Sequence, residues 1–180
     1  DGINFNLNFY RQFKKEFKKA KTKDISLDCL KLRQIKTNKE IEIIKKAFSY
    51  ADKILRNSIN NFGDFKTESD ASSLLEYETK KLGLDVSFPP IVASGSNASM
   101  PHHEPENVKL KRGFCVIDFG IKYKGYCTDC TRTVYIGKPS NKEKDIYSFI
   151  LNVQNNIIGN IRINDSCSKI YENCVKCLGK

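Results

Sequence analysis

The sequence has no tryptophan, one methionine and only two histidines in 180 residues. No apolar stretch approaches the roughly 18–20 residues of a membrane span, so none is expected. No internal repeat is visible. Acidic residues are also few: 21 Asp and Glu stand against 31 Lys and Arg, a net charge of +10. Residues 1–40 hold 11 basic and 5 acidic side chains, so +6 of the excess lies there. Such a basic stretch can mark a nucleic-acid or ribosome contact. It is equally the solvated side of an amphipathic helix. Phe9, Phe13 and Phe17 recur every four residues and are expected to face a core, which favours the second reading. The seven cysteines are an odd number with no secreted-scaffold spacing, which points to a reducing compartment, the cytoplasm.

What is present is an ordinary globular composition, 39% hydrophobic and 29% charged. Within it, two aspartates stand out. Asp118 closes the apolar run Phe114-Cys115-Val116-Ile117. Asp129 lies in Tyr126-Cys127-Thr128-Asp129-Cys130-Thr131-Arg132-Thr133-Val134-Tyr135. Aspartate is depleted in strands. A hairpin folded about Tyr123–Lys124 would set the two carboxylates directly opposite each other. Opposed side chains have Cβ atoms about 4.5–5.5 Å apart, and like charges there repel. A buried pair of this kind calls for a compensating cation, one or two divalent metals. Thr131, Arg132 and Thr133 offer donors and a positive charge beside it.

The rest of the chain alternates helices with short strands. Residues 4–20 are expected to be helical and Asp24–Leu30 a short strand. Thr37-Asn38-Lys39-Glu40 is a capping box. It opens a helix to about Asn61, with Ile41, Ile44, Phe48, Ala51 and Leu55 inward. A second helix spans about Ser69 to Leu82, with Ala71, Leu75 and Leu82 inward and Gly83 at its C-terminal cap. Phe88-Pro89-Pro90 leads into a strand from Ile91 to Ala93, then a loop of small residues. Ser140-Asn141-Lys142-Glu143 caps a long helix with Ile146, Ile150, Val153, Ile157 and Ile161 on one face. A last helix starts at Asp165 or Ser166 and runs to about Leu178. Two CxxC pairs are present. Cys127 and Cys130, three apart on a strand, point to opposite faces and do not suit one zinc. Cys167, Cys174 and Cys177 fall on the apolar stripe of the last helix and are expected in a core.

Three motifs together carry a resemblance. Val116-Ile117-Asp118-Phe119-Gly120, the spacing to Thr128-Asp129-Cys130-Thr131-Arg132-Thr133, and Pro101-His102-His103-Glu104-Pro105 resemble the pita-bread metallopeptidases (M24-type), which include methionine aminopeptidase, aminopeptidase P and prolidase. Leu32-Arg33-Gln34-Ile35-Lys36 resembles the Xaa-Pro-cleaving branch. The resemblance covers roughly residues 30–180. It implies an α+β pita-bread fold, an antiparallel sheet covered by helices, with its C-terminal half incomplete. Residues 1–31 would be the remnant of a preceding domain and 32–180 the first part of the catalytic domain. It implies two divalent ions, Mn, Co or Zn, with Asp118 as a ligand, Asp129 as the bridging ligand and His102 as the group that contacts substrate or moves a proton. Arg132 would support a site carboxylate or meet a partner domain. His103 stands where that branch usually has glycine, and is expected in solvent.

The same resemblance implies three further ligands, a histidine and two glutamates, that are absent here. No histidine follows His103 and no Gly-His-Gly stretch occurs. The chain therefore reads as part of a longer polypeptide, inactive alone. When complete, that polypeptide is expected to be a metallopeptidase, an Xaa-Pro aminopeptidase or dipeptidase. It would act on peptides with proline in the second position and form a homodimer, with no role for nucleic acid or membrane. The alternatives are a non-catalytic relative that binds nucleic acid, ribosome or protein, and a creatinase-like hydrolase that works without metal. The retained aspartates argue against both.

Overall fold

The computed structural model describes residues 6–179. Six helices and six strands follow in order: α1 (Leu7–Glu16), α2 (Ser26–Gln34), α3 (Asn38–Asn60), α4 (Glu68–Lys81), β1 (Asp85–Val86), β2 (Ile91–Ser94), β3 (Gly113–Phe119), β4 (Ile121–Tyr123), β5 (Tyr126–Cys127), β6 (Cys130–Ile136), α5 (Asn141–Asn160) and α6 (Cys167–Cys177). None of these helices is long and apolar enough to cross a membrane. Helices α3 and α5 begin where the capping boxes place them, and α4 begins at Glu68 on a third box, at Thr67, that the sequence reading did not single out. Thr37, Thr67 and Ser140 each accept from the third helical N–H, and Glu40, Asp70 and Glu143 reach back to the cap. Gly83 follows α4 with φ +70°, the left-handed conformation a C-terminal cap requires.

The strands form two antiparallel sheets, ordered β1-β4-β5 and β2-β3-β6. A single bent hairpin joins them. Its tip is Lys124–Gly125, with φ of 49° and 85°, flanked by the Tyr123–Tyr126 pair. Positive φ at both turn residues gives the twist that two-residue hairpins favour, and glycine accepts it freely. The bend falls at Gly120. A Cβ there would lie 1.9 Å from the Thr128 carbonyl oxygen and 2.2 Å from Ser87 Oγ. Ser87 N–H donates to Gly120 O at 2.9 Å and Ser87 Oγ to Thr128 O at 2.8 Å, which fastens the bend to the residue after β1.

Helices α3 and α4 cover one face of the larger sheet. The core joins Ala47, Ala51, Ile54 and Leu55 of α3, Ala71 and Leu75 of α4, Val92 of β2, and Cys115, Ile117 and Phe119 of β3. Alternation along β3 sends Cys115, Ile117 and Phe119 inward and leaves Phe114, Val116 and Asp118 half-buried on the other face.

Several expectations are corrected. Asp24–Leu30 is not a strand. Asp24 Oδ1 accepts from Ser26 N–H at 2.9 Å, and that turn starts α2. Helix α1 buries none of its residues: Phe9 and Phe17 are each 58% exposed, and Phe17 stacks instead on Phe13, with ring centroids 4.9 Å apart. In α3 the inward stripe is rotated, so that Ala47, Ile54 and Ser58 are buried while Ile41 and Phe48 are exposed, and Leu82, the C-cap of α4 and expected inward, is exposed where the helix ends. Cys167 and Cys177 are exposed and Cys174 half-buried, not core. Neither α5 nor α6 buries a residue among those described.

Candidate metal centre and its histidine loop

The hairpin register decides how the two aspartates meet. Asp118 pairs with Thr131, not with Asp129. The predicted register is displaced by two residues because the turn is Lys124–Gly125 rather than Tyr123–Lys124. A slip of two preserves the side-chain face, so the carboxylates still converge. In the observed register Asp129 lies across from Gly120, just before β6 begins. It is exposed, not buried as expected, because the ladder is broken at residues 128–129.

Their proximity is visible in their chemistry. Loss of hydration raises the Asp129 carboxyl above its ordinary range, and the Asp118 charge and a hydrogen bond between the two add to that rise. Thr131 Oγ1 donates to Asp118 Oδ1 at 2.8 Å, fixing that carboxylate on the open sheet face. An ionised Asp129 beside the Asp118 charge is favoured by a neighbouring cation. The pair therefore fits the demand of a divalent ion for oxygen donors. Among the described residues no group of three or more His, Cys, Asp or Glu side chains gathers to hold a metal. The residues present thus offer two ligands, Asp118 and Asp129.

Arg132 sits 50% exposed on the opposite side of β6. Its Nη2 lies 3.8 Å from Asp52 Oδ1 on α3, and its Nη1 donates to Thr131 O at 2.8 Å. It faces neither Asp118 nor Asp129. Cys127 is exposed and Cys130 half-buried, both as free thiols. Burial raises the Cys130 thiol above its usual value, so it stays protonated.

The two neighbouring histidines differ in burial. His102 is exposed in a tight turn, and His103 is buried. The turn is made by Met100 N–H to Asn97 O at 2.9 Å and His103 N–H to Met100 O at 3.3 Å. His103 was expected in solvent. Its Nε2 instead lies 2.7 Å from Oε2 of Glu68, a glutamate with no exposed surface in the first turn of α4. Glu68 also accepts from Ser94 N–H (2.7 Å), Ser94 Oγ (2.9 Å), Asn97 Nδ2 (3.2 Å) and Glu106 N–H (3.4 Å). Burial pushes its carboxyl up, but the hydrogen bonds from His103, Ser94 and Glu106 outweigh that and hold it below the usual range. An ionised carboxylate only accepts, so the His103 Nε2 carries the hydrogen. Sequence reasoning did not find this network. An acidic residue in a first helical turn is common for dipole reasons alone, and nothing marks Glu68 as inward.

The metallopeptidase family M24 model matches residues 42–180. Over 125 residues the chain is 38% identical to the Xaa-Pro dipeptidase of Pyrococcus furiosus, covering 68% of this chain and 36% of that protein. It is 37% identical over 141 residues to an uncharacterized peptidase of Staphylococcus saprophyticus, covering 77% and 40%. Among solved structures, the X-Pro aminopeptidase of Thermotoga maritima superposes with a TM-score of 0.88 at 29% identity, over 98% of this chain and 51% of that one. The Xaa-Pro dipeptidase of Bacillus anthracis gives 0.88 at 31%, over 99% and 50%. The chain thus spans about 40% of the curated relatives and half of the solved chains it matches. The architecture is the α+β pita-bread fold, and the chain belongs to metallopeptidase family M24.

Proposed function

We propose that the polypeptide carrying these residues is a metal-dependent peptidase that cleaves between an N-terminal residue and a following proline. The observation that supports this most strongly is the convergence of Asp118 and Asp129 on one open sheet face, where the Asp118 charge adds to the rise of the Asp129 carboxyl. The names of the relatives support the Xaa-Pro preference. In this reading Asp118 and Asp129 hold two divalent ions, Mn, Co or Zn, together with ligands outside these 180 residues. When bound, such ions polarise a peptide carbonyl and activate water.

The chain's own residues have separable roles. Thr131 orients Asp118 through its hydroxyl. His102, exposed in its turn, supplies an imidazole that can move a proton near neutral pH. Arg132 supports the site at one remove, by tying β6 to Asp52 of α3. With two carboxylates as its only gathered ligands among the described residues, the isolated chain binds metal weakly and does not hydrolyse peptides. The active form is a cytoplasmic homodimer. Its substrate is a dipeptide or a longer peptide with proline second.

The test is hydrolysis of an Xaa-Pro dipeptide and a longer Xaa-Pro peptide, with added Mn²⁺, Co²⁺ or Zn²⁺ and with chelator. The 180-residue chain is measured beside the longer polypeptide. The longer form is expected to cleave in a metal-dependent way. Its His102→Ala variant should lose about 10²–10⁴-fold in kcat, the usual range for a positioned acid–base group. Cleavage by the isolated chain, or unchanged kcat in His102→Ala, would overturn the respective part of the proposal.

A further inference from the structure

The buried Glu68–His103 pair lies outside the candidate metal centre, and no step proposed above uses it. Its placement relative to His102 is specific. The segment from Ser94 to Glu106 leaves the end of β2, passes through the His102 turn and comes back to the start of α4. Both of its ends are bound to one carboxylate. Ser94 and Asn97 reach Glu68 from the near side, and His103 and Glu106 from the far side. His102 is the exposed residue between these two sets of anchors, next to the shortest contact on the far side. Around this knot the backbone is stitched to α4 as well. Ser69 N–H donates to Glu106 O at 3.1 Å and Glu68 N–H to Val108 O at 3.2 Å. Those contacts hold residues 105–108. They do not reach residues 100–103, whose side-chain tether to α4 is the imidazole of His103.

We infer that His103 is a positioning residue for His102. By donating its Nε2–H to the buried Glu68 carboxylate, it holds the turn that presents the neighbouring imidazole. This role for His102 rests on the peptidase reading above, but the clamp itself does not. With glycine at position 103, as the resemblance gives for the Xaa-Pro branch, no side chain could reach Glu68. The same turn would then rely on backbone contacts alone. This chain replaces that arrangement with a charge-assisted hydrogen bond in a water-free setting, where such bonds are strong.

The experiment compares the chain as it stands with His103→Ala and His103→Gln, following amide hydrogen exchange residue by residue. Glutamine keeps an N–H donor on a side chain of similar reach. In His103→Ala, exchange at the Met100 and His103 amides should speed up by about tenfold or more, the signature of local opening, while β3 and α3 keep their protection. His103→Gln should restore most of the lost protection. Unchanged exchange in His103→Ala would overturn the inference. So would acceleration spread equally through β3 and α3, or no recovery with glutamine. In a longer polypeptide that hydrolyses Xaa-Pro peptides, the same alanine variant should lower kcat with little change in KM. If the exchange results hold but that longer form has no activity, the peptidase reading fails and the clamp stands.

Discussion

Asp118 and Asp129 show what one residue can and cannot announce. A carboxylate at the end of four apolar and aromatic positions is anomalous in any strand, and that anomaly was legible. The exposure of Asp129 was not, because it depends on where the ladder breaks. Glu40 carries a different lesson. The Thr37 backbone N–H, the Tyr126 hydroxyl (2.8 Å) and the Thr37 hydroxyl hold its carboxyl down from 4.5 to about 2. Because the folded value is depressed, the stabilisation is complete above the ordinary carboxylate range. It is lost as pH falls through that range toward 2. Thermal midpoints measured from pH 6 to pH 2 should fall, and Glu40→Gln should flatten that decline. Parallel declines in both proteins would contradict the assignment. The capping box was readable in the sequence. The bond from Tyr126, 86 residues away, was not.

At the scale of elements, the hairpin was legible and its register was not quite. The apolar run of β3 and the turn-forming residues 120–125 specify a hairpin. Choosing Lys124–Gly125 over Tyr123–Lys124 required knowing that both turn residues take positive φ. The bend at Gly120 was hidden because its cause is distant: Ser87 closes on the backbone where a Cβ would sit. Gly120→Ala should therefore destabilise the chain by about 3 kcal/mol or more, as strain that the backbone cannot relieve cheaply. Denaturant unfolding measures this, and a loss below about 1 kcal/mol would mean that the bend adapts. The α1 expectation went astray for a related reason. Period alone says which residues share a face, but not whether another element covers that face.

At the scale of the molecule, the β2-β3-β6 sheet has one face closed by α3 and α4 and the other only partly attended. Phe114 meets Tyr135 edge-on at 5.3 Å and Tyr147 of α5 at 6.4 Å, but α5 leaves Ile146, Phe149, Ile150 and Ile158 exposed. Exposed apolar side chains in such number promote association. The 180-residue chain should self-associate with rising concentration in sedimentation velocity, and Ile150→Glu should reduce it. A strictly monomeric chain up to high concentration would contradict that. The family was legible because three short motifs recur at the right spacing, and the fold followed from the family. The loop clamp was not, since it joins Glu68 to residues 26–38 positions away.

The most direct measurement of the central claim is paramagnetic broadening of the chain's amide resonances by Mn²⁺, which reports even weak binding by position. Broadening should centre on Asp118, Phe119, Asp129 and Cys130, and should vanish in Asp118→Asn and in Asp129→Asn. Broadening centred elsewhere, or unchanged in both variants, would contradict the assignment of this carboxylate pair to a divalent cation.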